Sequence, residues 1–291
     1  MGSRPGSRPI ASAGALKSKL AAGEVIVGCL LAYNAPWLVE VLAMTGHDFV
    51  TLDLEHEPFN DESVAALIRT GDGVGLPTIL RMPLGERLEP LLNAGASGLH
   101  VPDVRDREHL EEIAAATRFP PLGRRAYYTQ TRATRYGLGI DEREELQRAN
   151  QELLVVAMIE SIGVVSQLDA LLDVDGIDVF HVGPLDLATS MGNPDPSELD
   201  AVIGRVVARC REAGKHVAVG VITPWGLDRI GRQIDEGVQM FNIASAWLLT
   251  HAIGQFFNEV NDRIPEGRRS GPVAKPVAQN PYLADQGGRT R

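Results

Sequence analysis

Little in this 291-residue chain would crosslink it, anchor it in a bilayer or attach it to a polyanion. It has two cysteines, Cys29 and Cys210, both in apolar surroundings. Two thiols make no disulfide scaffold, and nothing has the spacing of zinc ligands, so both read as inert core residues of a protein in a reducing cytoplasm. No apolar run approaches the roughly 18 residues of a membrane span. The start, Met1 to Pro9, is basic, but no apolar segment follows, so a secretory signal is not expected. Positive charge is in deficit: 38 acidic side chains against 28 basic ones leave a formal charge of −10. That argues against nonspecific nucleic-acid binding and against docking on anionic membranes. It leaves room for a small anionic substrate, which responds to the local field of a few arginines.

What is present is alternation. Eight apolar runs read as buried parallel strands: residues 25–32, 49–54, 77–81, 98–102, 153–159, 178–182, 216–221 and 240–244. Amphipathic helical patterns lie between most of them. One covers residues 61–69, with Asn60 or Asp61 as its cap. Another covers residues 197–213 and stops at Gly214. Short glycine turns at residues 94–98, 173–176 and 236–237 return helix to strand. Eight strand–helix units in a chain of this length predict a single-domain α/β fold, a (β/α)8 TIM barrel. The barrel is expected over residues 15–263. A flexible leader is expected over residues 1–14 and a disordered or loosely packed tail over residues 264–291, where proline, glycine and arginine crowd out apolar residues. The longest irregular stretch, residues 119–141, follows the fourth strand and is expected on the catalytic side of the barrel, where long loops are usually functional.

Four of the apolar runs end in chemistry. Asp53-Leu54-Glu55-His56 closes the second, Arg81 the third and Glu160 the fifth, and Gly183-Pro184-Leu185-Asp186 follows the sixth. Strand C-termini are where a barrel builds its site. Glu160 and Asp186 form a hard oxygen pair suited to Mg2+ or Mn2+, or else are a helix cap and an ion-pair partner. Arg81 needs anionic company, which is either a substrate carboxylate or enolate, or Asp53 or Glu55. His56 is a candidate general base. His100 and His181 fall inside strands, which suggests a barrel-interior role, and His47, His109, His216 and His251 are less well placed for chemistry. No lysine ends a strand; Lys215 precedes the seventh, on the opposite face, which disfavours an imine route. Arg124 and Arg125 open the long loop, as an anion clamp or a solvated basic stretch.

In order along the chain, Asp53-x-Glu55-His56, Arg81-x-Pro83, Leu91-Leu92-Asn93-Ala94-Gly95-Ala96, Val101-Pro102, Pro120-Pro121-x-Gly123-x-Arg125, Ile159-Glu160 and Val182-Gly183-Pro184-x-Asp186-Leu187 resemble the HpcH/HpaI aldolase family, the metal-dependent class II pyruvate aldolases. The resemblance spans roughly residues 15 to 262. It implies Glu160 and Asp186 as ligands of a divalent metal, Mg2+ with Mn2+ or Co2+ as alternatives. It implies Arg81 on the pyruvate oxygens, His56 as acid/base, and Asp53 and Glu55 beside the metal's waters. It implies backbone amides around Gly183, Pro184, Leu185 and Asp186 on the substrate carboxylate, and Arg125 as the family's loop arginine. It also implies a homo-oligomer, commonly a hexamer, with C-terminal helices exchanged between subunits. The implied reaction is aldol cleavage or condensation of a 4-hydroxy-2-oxo acid through a metal-bound pyruvate enolate. Asn93 departs from the family, whose better-known members carry an aspartate there to pair with the histidine. Tyr127 and Tyr128 either stack on an aromatic or cyclic acceptor or only cover the barrel mouth, and the 122–125 run resembles the related macrophomate synthase. That resemblance keeps open decarboxylation of oxaloacetate with enolate addition to a larger acceptor, as in citrate-synthase-like members. A barrel that binds oxo acids without turnover is the remaining alternative.

Overall fold

The structure is a computed structural model and describes residues 11, 13–265 and 268. Eight strands, β1 (Ile26–Leu31), β2 (Phe49–Asp53), β3 (Thr78–Arg81), β4 (Gly98–Val101), β5 (Leu154–Ile159), β6 (Val179–Val182), β7 (His216–Val219) and β8 (Met240–Ala244), pair in parallel and in chain order. β8 closes on β1, with Ile26 opposite Met240 and Leu30 opposite Ala244. The expected strands thus appear, each within about two residues of its expected ends. Every residue of β2, β4, β5 and β6 is buried. That accounts for their unbroken apolar character, since one face meets the barrel axis and the other meets helices.

The α-helices are α1 (Gly14–Ala21), which precedes β1, then α2 (Pro36–Met44), α3 (Asp61–Val74), α4 (Leu88–Asn93), α5 (Arg107–Thr117), α6 (Glu142–Glu152), α7 (Ile162–Val165), α8 (Leu168–Leu172), α9 (Pro184–Ser190), α10 (Pro196–Glu212) and α11 (Arg229–Glu236) between the strands, and α12 (Ser245–Asp262), which follows β8. Side-chain caps start several of them: Asn60 accepts from the Ser63 amide, Asp106 from His109 and Asp141 from Glu144, at 2.8 to 3.0 Å. The interior is filled from below by Ile26, Phe49, Ile79, Val156, Val179 and Met240. A second, larger apolar shell lies between strands and helices.

One expectation is reversed. Residues 119–141 follow α5, and α5 has already carried the chain from the C-terminal ends of the strands back to their N-terminal ends. The long loop therefore lies at the base of the barrel, away from the catalytic side. Its contacts fix it there. The Ala133 amide donates to the Asn93 carbonyl at the end of α4, and Arg132 pairs with Asp72 near the end of α3. The end of the expected leader is packed as well: Ala13 is buried, the Ala11 amide bonds Asp72, and the Ala11 carbonyl accepts from Ser97. The rest of the leader and nearly all of the tail lie outside the described residues. α12 leaves the barrel with Ser245 as its one buried residue, and Ile253 and Phe256 stand 65% and 70% exposed. No helix among the described residues is long and apolar enough to cross a membrane.

Candidate active site

The ends of β2, β3, β5 and β6 bring one group of the expected residues together. β2 and β3 pair with Asp53 opposite Arg81. That register sets a two-point contact, Arg81 Nε to Asp53 Oδ1 at 2.9 Å and Nη2 to Oδ2 at 2.5 Å. Both side chains are nearly buried, a setting in which such a fork is held rigidly. Asp53 also organises the turn behind it, because Oδ1 accepts the amides of Glu55 and His56. Glu55 Oε2 lies 3.6 Å from Arg81 Nε and 3.6 Å from His56 Nε2, so it joins the arginine to the histidine. The His56 ring stands in solvent at the mouth. Of the two readings open for Arg81, the partner within the chain is Asp53, and Nη1 is left over.

Glu160 follows the last residue of β5. The Asp103 amide donates to its Oε1 at 2.6 Å, and a Cβ placed on Gly183 would stand 3.2 Å from its Oε2. A side chain at residue 183 would crowd the Glu160 carboxylate, so glycine leaves it room there. Burial pushes the Glu160 carboxyl up to about 7, against the pull of the Asp103 amide, and the charges of Glu55, Asp186 and Asp103 push it further. Burial raises Glu55 as well, outweighing Arg81 and His56. Asp186 sits exposed in the first turn of α9. Among the described residues no three His, Cys, Asp or Glu side chains form a ready metal cage. The donor set still fits a hard cation. Two carboxylates, one of them half-desolvated and crowded by acids, lack positive charge and leave most coordination positions to water and substrate oxygens.

Two implied roles change on inspection. The Gly183 amide is already given to the Ile159 carbonyl at 3.0 Å, and Pro184 has none, so of that segment only Leu185 and Asp186 offer free first-turn N–H groups. Asn93, Arg124, Arg125 and Tyr127 are not at this mouth. They sit with the long loop at the base. There Asn93 Oδ1 accepts from Arg125 Nη2 at 3.0 Å and makes no contact with His56. The Arg125 guanidinium lies 4.5 Å over the Phe119 ring, and burial brings it down to about 10. Tyr127 meets Phe119 edge-on, and Arg124 pairs with Glu112 at the surface. The residue that sequence reasoning passed over is Asp103. It acts through its backbone at φ +48°, a left-handed conformation that aspartate tolerates better than most residues. Its only trace in the sequence is its place just after Val101-Pro102.

The family model described as HpcH/HpaI aldolase/citrate lyase matches residues 27–245. A hydroxypyruvate/pyruvate aldolase of Roseovarius nubinhibens is 33% identical over 70% of this chain and 80% of its own length. A 2-keto-3-deoxy-L-rhamnonate aldolase of Klebsiella pneumoniae is 30% identical over 75% of this chain and 86% of its own. Among solved structures, the citrate synthase SbnG superposes with a TM-score of 0.74 at 27% identity, covering 85% of this chain and 98% of that one. Macrophomate synthase, at 21% identity and a TM-score of 0.73 over 88% of this chain and 94% of its own, shares the fold.

Proposed function

The chain belongs to the HpcH/HpaI aldolase/citrate lyase family, and we propose that it is a divalent-metal-dependent carbon–carbon lyase of 4-hydroxy-2-oxo acids, releasing or consuming a pyruvate-type enolate. The observation that carries this reading is the convergence at the strand ends of Glu160, held by the Asp103 amide, with Glu55, which joins Arg81 to His56 at 3.6 Å each, and with Asp186. Relatives named for pyruvate, hydroxypyruvate and a 2-keto-3-deoxy acid support a 2-oxo acid as substrate. Glu160 and Asp186 would hold the cation, Mg2+ in the first instance, which supplies polarisation of the 2-oxo carbonyl and so acidifies the neighbouring carbon. The chain's own groups do the rest. The free amides of Leu185 and Asp186 bind the substrate carboxylate. Arg81, clamped by Asp53, presents Nη1 to the oxygen on which negative charge develops and needs no reorganisation to do so. His56, steered by Glu55, moves the proton of the 4-hydroxyl, directly or through one water.

Arg125, Arg124, Tyr127 and Asn93 reach this chemistry only if the base of a second copy faces the mouth. The exposed apolar residues of α12 support a homo-oligomer, the hexamer being the state that the resemblance implies. A second reading retains the enolate but forms it by decarboxylating oxaloacetate, and the similarity to a citrate synthase favours keeping it in view. The experiment is a side-by-side assay of 4-hydroxy-2-oxo acid cleavage and oxaloacetate decarboxylation, with Mg2+, Mn2+, Co2+ or EDTA, against Glu160→Ala. Metal-dependent pyruvate release that the variant loses supports the aldolase. Turnover of oxaloacetate alone moves the assignment to the second reading, and binding of pyruvate with no turnover reduces the protein to a binder.

A further inference from the structure

Directly below this site the barrel interior is polar where an apolar layer is usual. His100 on β4 and His181 on β6 are 1% and 3% exposed, and their rings stack at 4.8 Å between centroids. His181 Nδ1 lies 2.9 Å from His100 Nε2, and His181 Nε2 lies 3.0 Å from the Gly220 carbonyl. His100 Nδ1 has no partner. These contacts allow one assignment of protons for a neutral pair. A carbonyl only accepts, so His181 Nε2 carries its hydrogen and Nδ1 is bare. His100 must then donate from Nε2, which leaves its own Nδ1 as a bare acceptor. The orphaned atom is thus a lone pair rather than a stranded N–H. Burial keeps both rings neutral, with His181 brought down to about 4 and Arg81 adding to the effect.

Gly220 is where β7 breaks. Its φ is +56°, its amide donates to the Val182 carbonyl, and pairing with β8 resumes only at the bridge between Ile222 and Ile243. The Gly220 carbonyl turns inward to His181 instead of continuing the strand. So placed, the residue lies under Pro184, and a Cβ on it would come within 3.1 Å of Pro184 Cγ. Both polar groups of Gly220 are therefore tied to β6, one through the backbone and one through His181, which holds Gly220 close to Pro184 at the start of the segment that carries Leu185 and Asp186.

We propose that His181 is a positioning residue for residues 183–186, acting through the Gly220 carbonyl, and that His100 fixes the tautomer that lets it do so. The proposal rests on the functional reading above for what residues 183–186 bind, but its geometry stands apart from that reading. Nitrogen NMR of the full-length protein with labelled histidine, at pH 7, tests the geometry first. Both rings should show a bare Nδ1 and a protonated Nε2. An imidazolium, or a hydrogen on His181 Nδ1, overturns the proposal. Calorimetric binding of pyruvate and of Mn2+ tests the consequence. His181→Phe should weaken both by 10-fold or more, the range seen when the support of a ligand is removed, while His181→Gln, which keeps a donor, should recover part of the loss. The double variant His100→Leu/His181→Phe fills the space with apolar groups and guards against a folding defect in the single one. A folded variant lacking the donor that binds pyruvate as the wild type does refutes the role, as does a wild type that binds no pyruvate. Glu160→Gln is the control for the reading beneath: if it leaves Mn2+ binding intact, the metal assignment fails, and pyruvate binding alone decides the role of His181.

Discussion

At residue 103 a backbone angle does the work usually credited to a side chain. Asp103 takes φ +48° so that its amide meets Glu160 Oε1 at 2.6 Å. A β-branched residue there would resist the angle at roughly 1–2 kcal/mol, whereas glycine would keep both the angle and the N–H. Activity and melting temperature of Asp103→Gly should therefore stay within about twofold and a few degrees of the wild type by these magnitudes. Asp103→Val should lose stability and, with Glu160 misdirected, 10-fold or more in turnover. A loss in Asp103→Gly equal to that in Asp103→Val would mean that the carboxylate matters, and wild-type behaviour of both would mean that the angle does not. Asn93 allows a second comparison. It faces Arg125, a buried guanidinium with no carboxylate in contact among the described residues. Asn93→Asp should turn that contact into an ion pair worth about 1 kcal/mol, seen as a rise of roughly 2 °C in melting temperature. A gain in turnover with no change in stability would instead place residue 93 at the mouth of a neighbouring copy.

The strands and most helices were legible because their signals are local. β5 is apolar throughout since both of its faces are buried, and Asn60 announces α3 by capping it. Asp53, Arg81 and Glu160 were legible for the same reason: each stands at the end of such a run, and a parallel strand has only one end at which chemistry collects. The side of the barrel on which the 119–141 loop lies is not legible from the loop itself. Reading it requires recognising α5, whose one strong mark is Asp106 at its start. The role of Asp103 is hidden because its amide meets a carboxylate 57 residues away in sequence, beyond the reach of any local pattern. The inward turn of Gly220 toward His181 joins positions 39 apart in sequence, which no local pattern encodes. In α12 sequence and structure disagree within one chain, since an amphipathic helix should bury its apolar face and this one buries only Ser245. Ile253→Glu/Phe256→Glu should leave the barrel's circular dichroism unchanged and shift the sedimentation profile to smaller species. An unchanged profile would show that α12 holds no subunits together.

For the molecule as a whole, stability against pH is set by two desolvated populations of opposite sign, the partly buried acids of the site and the buried histidines. The Glu160 carboxyl is raised from 4.5 to about 7, so the folded state holds its proton more tightly than the unfolded one. Its contribution is fully present below about pH 4.5 and is lost as pH rises through about 7. Glu55, also raised by burial, adds in the same direction. The buried histidines act in reverse. His181 is lowered from 6.5 to about 4, with His100 and His109 lowered too, so their contribution is present above about pH 6.5 and is lost as pH falls toward 4. Between pH 4.5 and 6.5 the two populations oppose each other, and above 6.5 only the acids still change. Metal-free wild type should therefore melt at nearly constant temperature over the lower window and less well from pH 6.5 to 8. Glu160→Gln removes much of the acid contribution, so its melting temperature should climb through the lower window and decline less above it. A divalent cation at the acids favours the ionised carboxylate, so Mg2+ or Mn2+ should raise the wild-type melting temperature more at pH 8 than at pH 5. It should do little for Glu160→Gln at either pH. Parallel curves for the two proteins, or equal stabilisation by the cation at both pH values, would show that Glu160 is not the carboxyl on which the site turns.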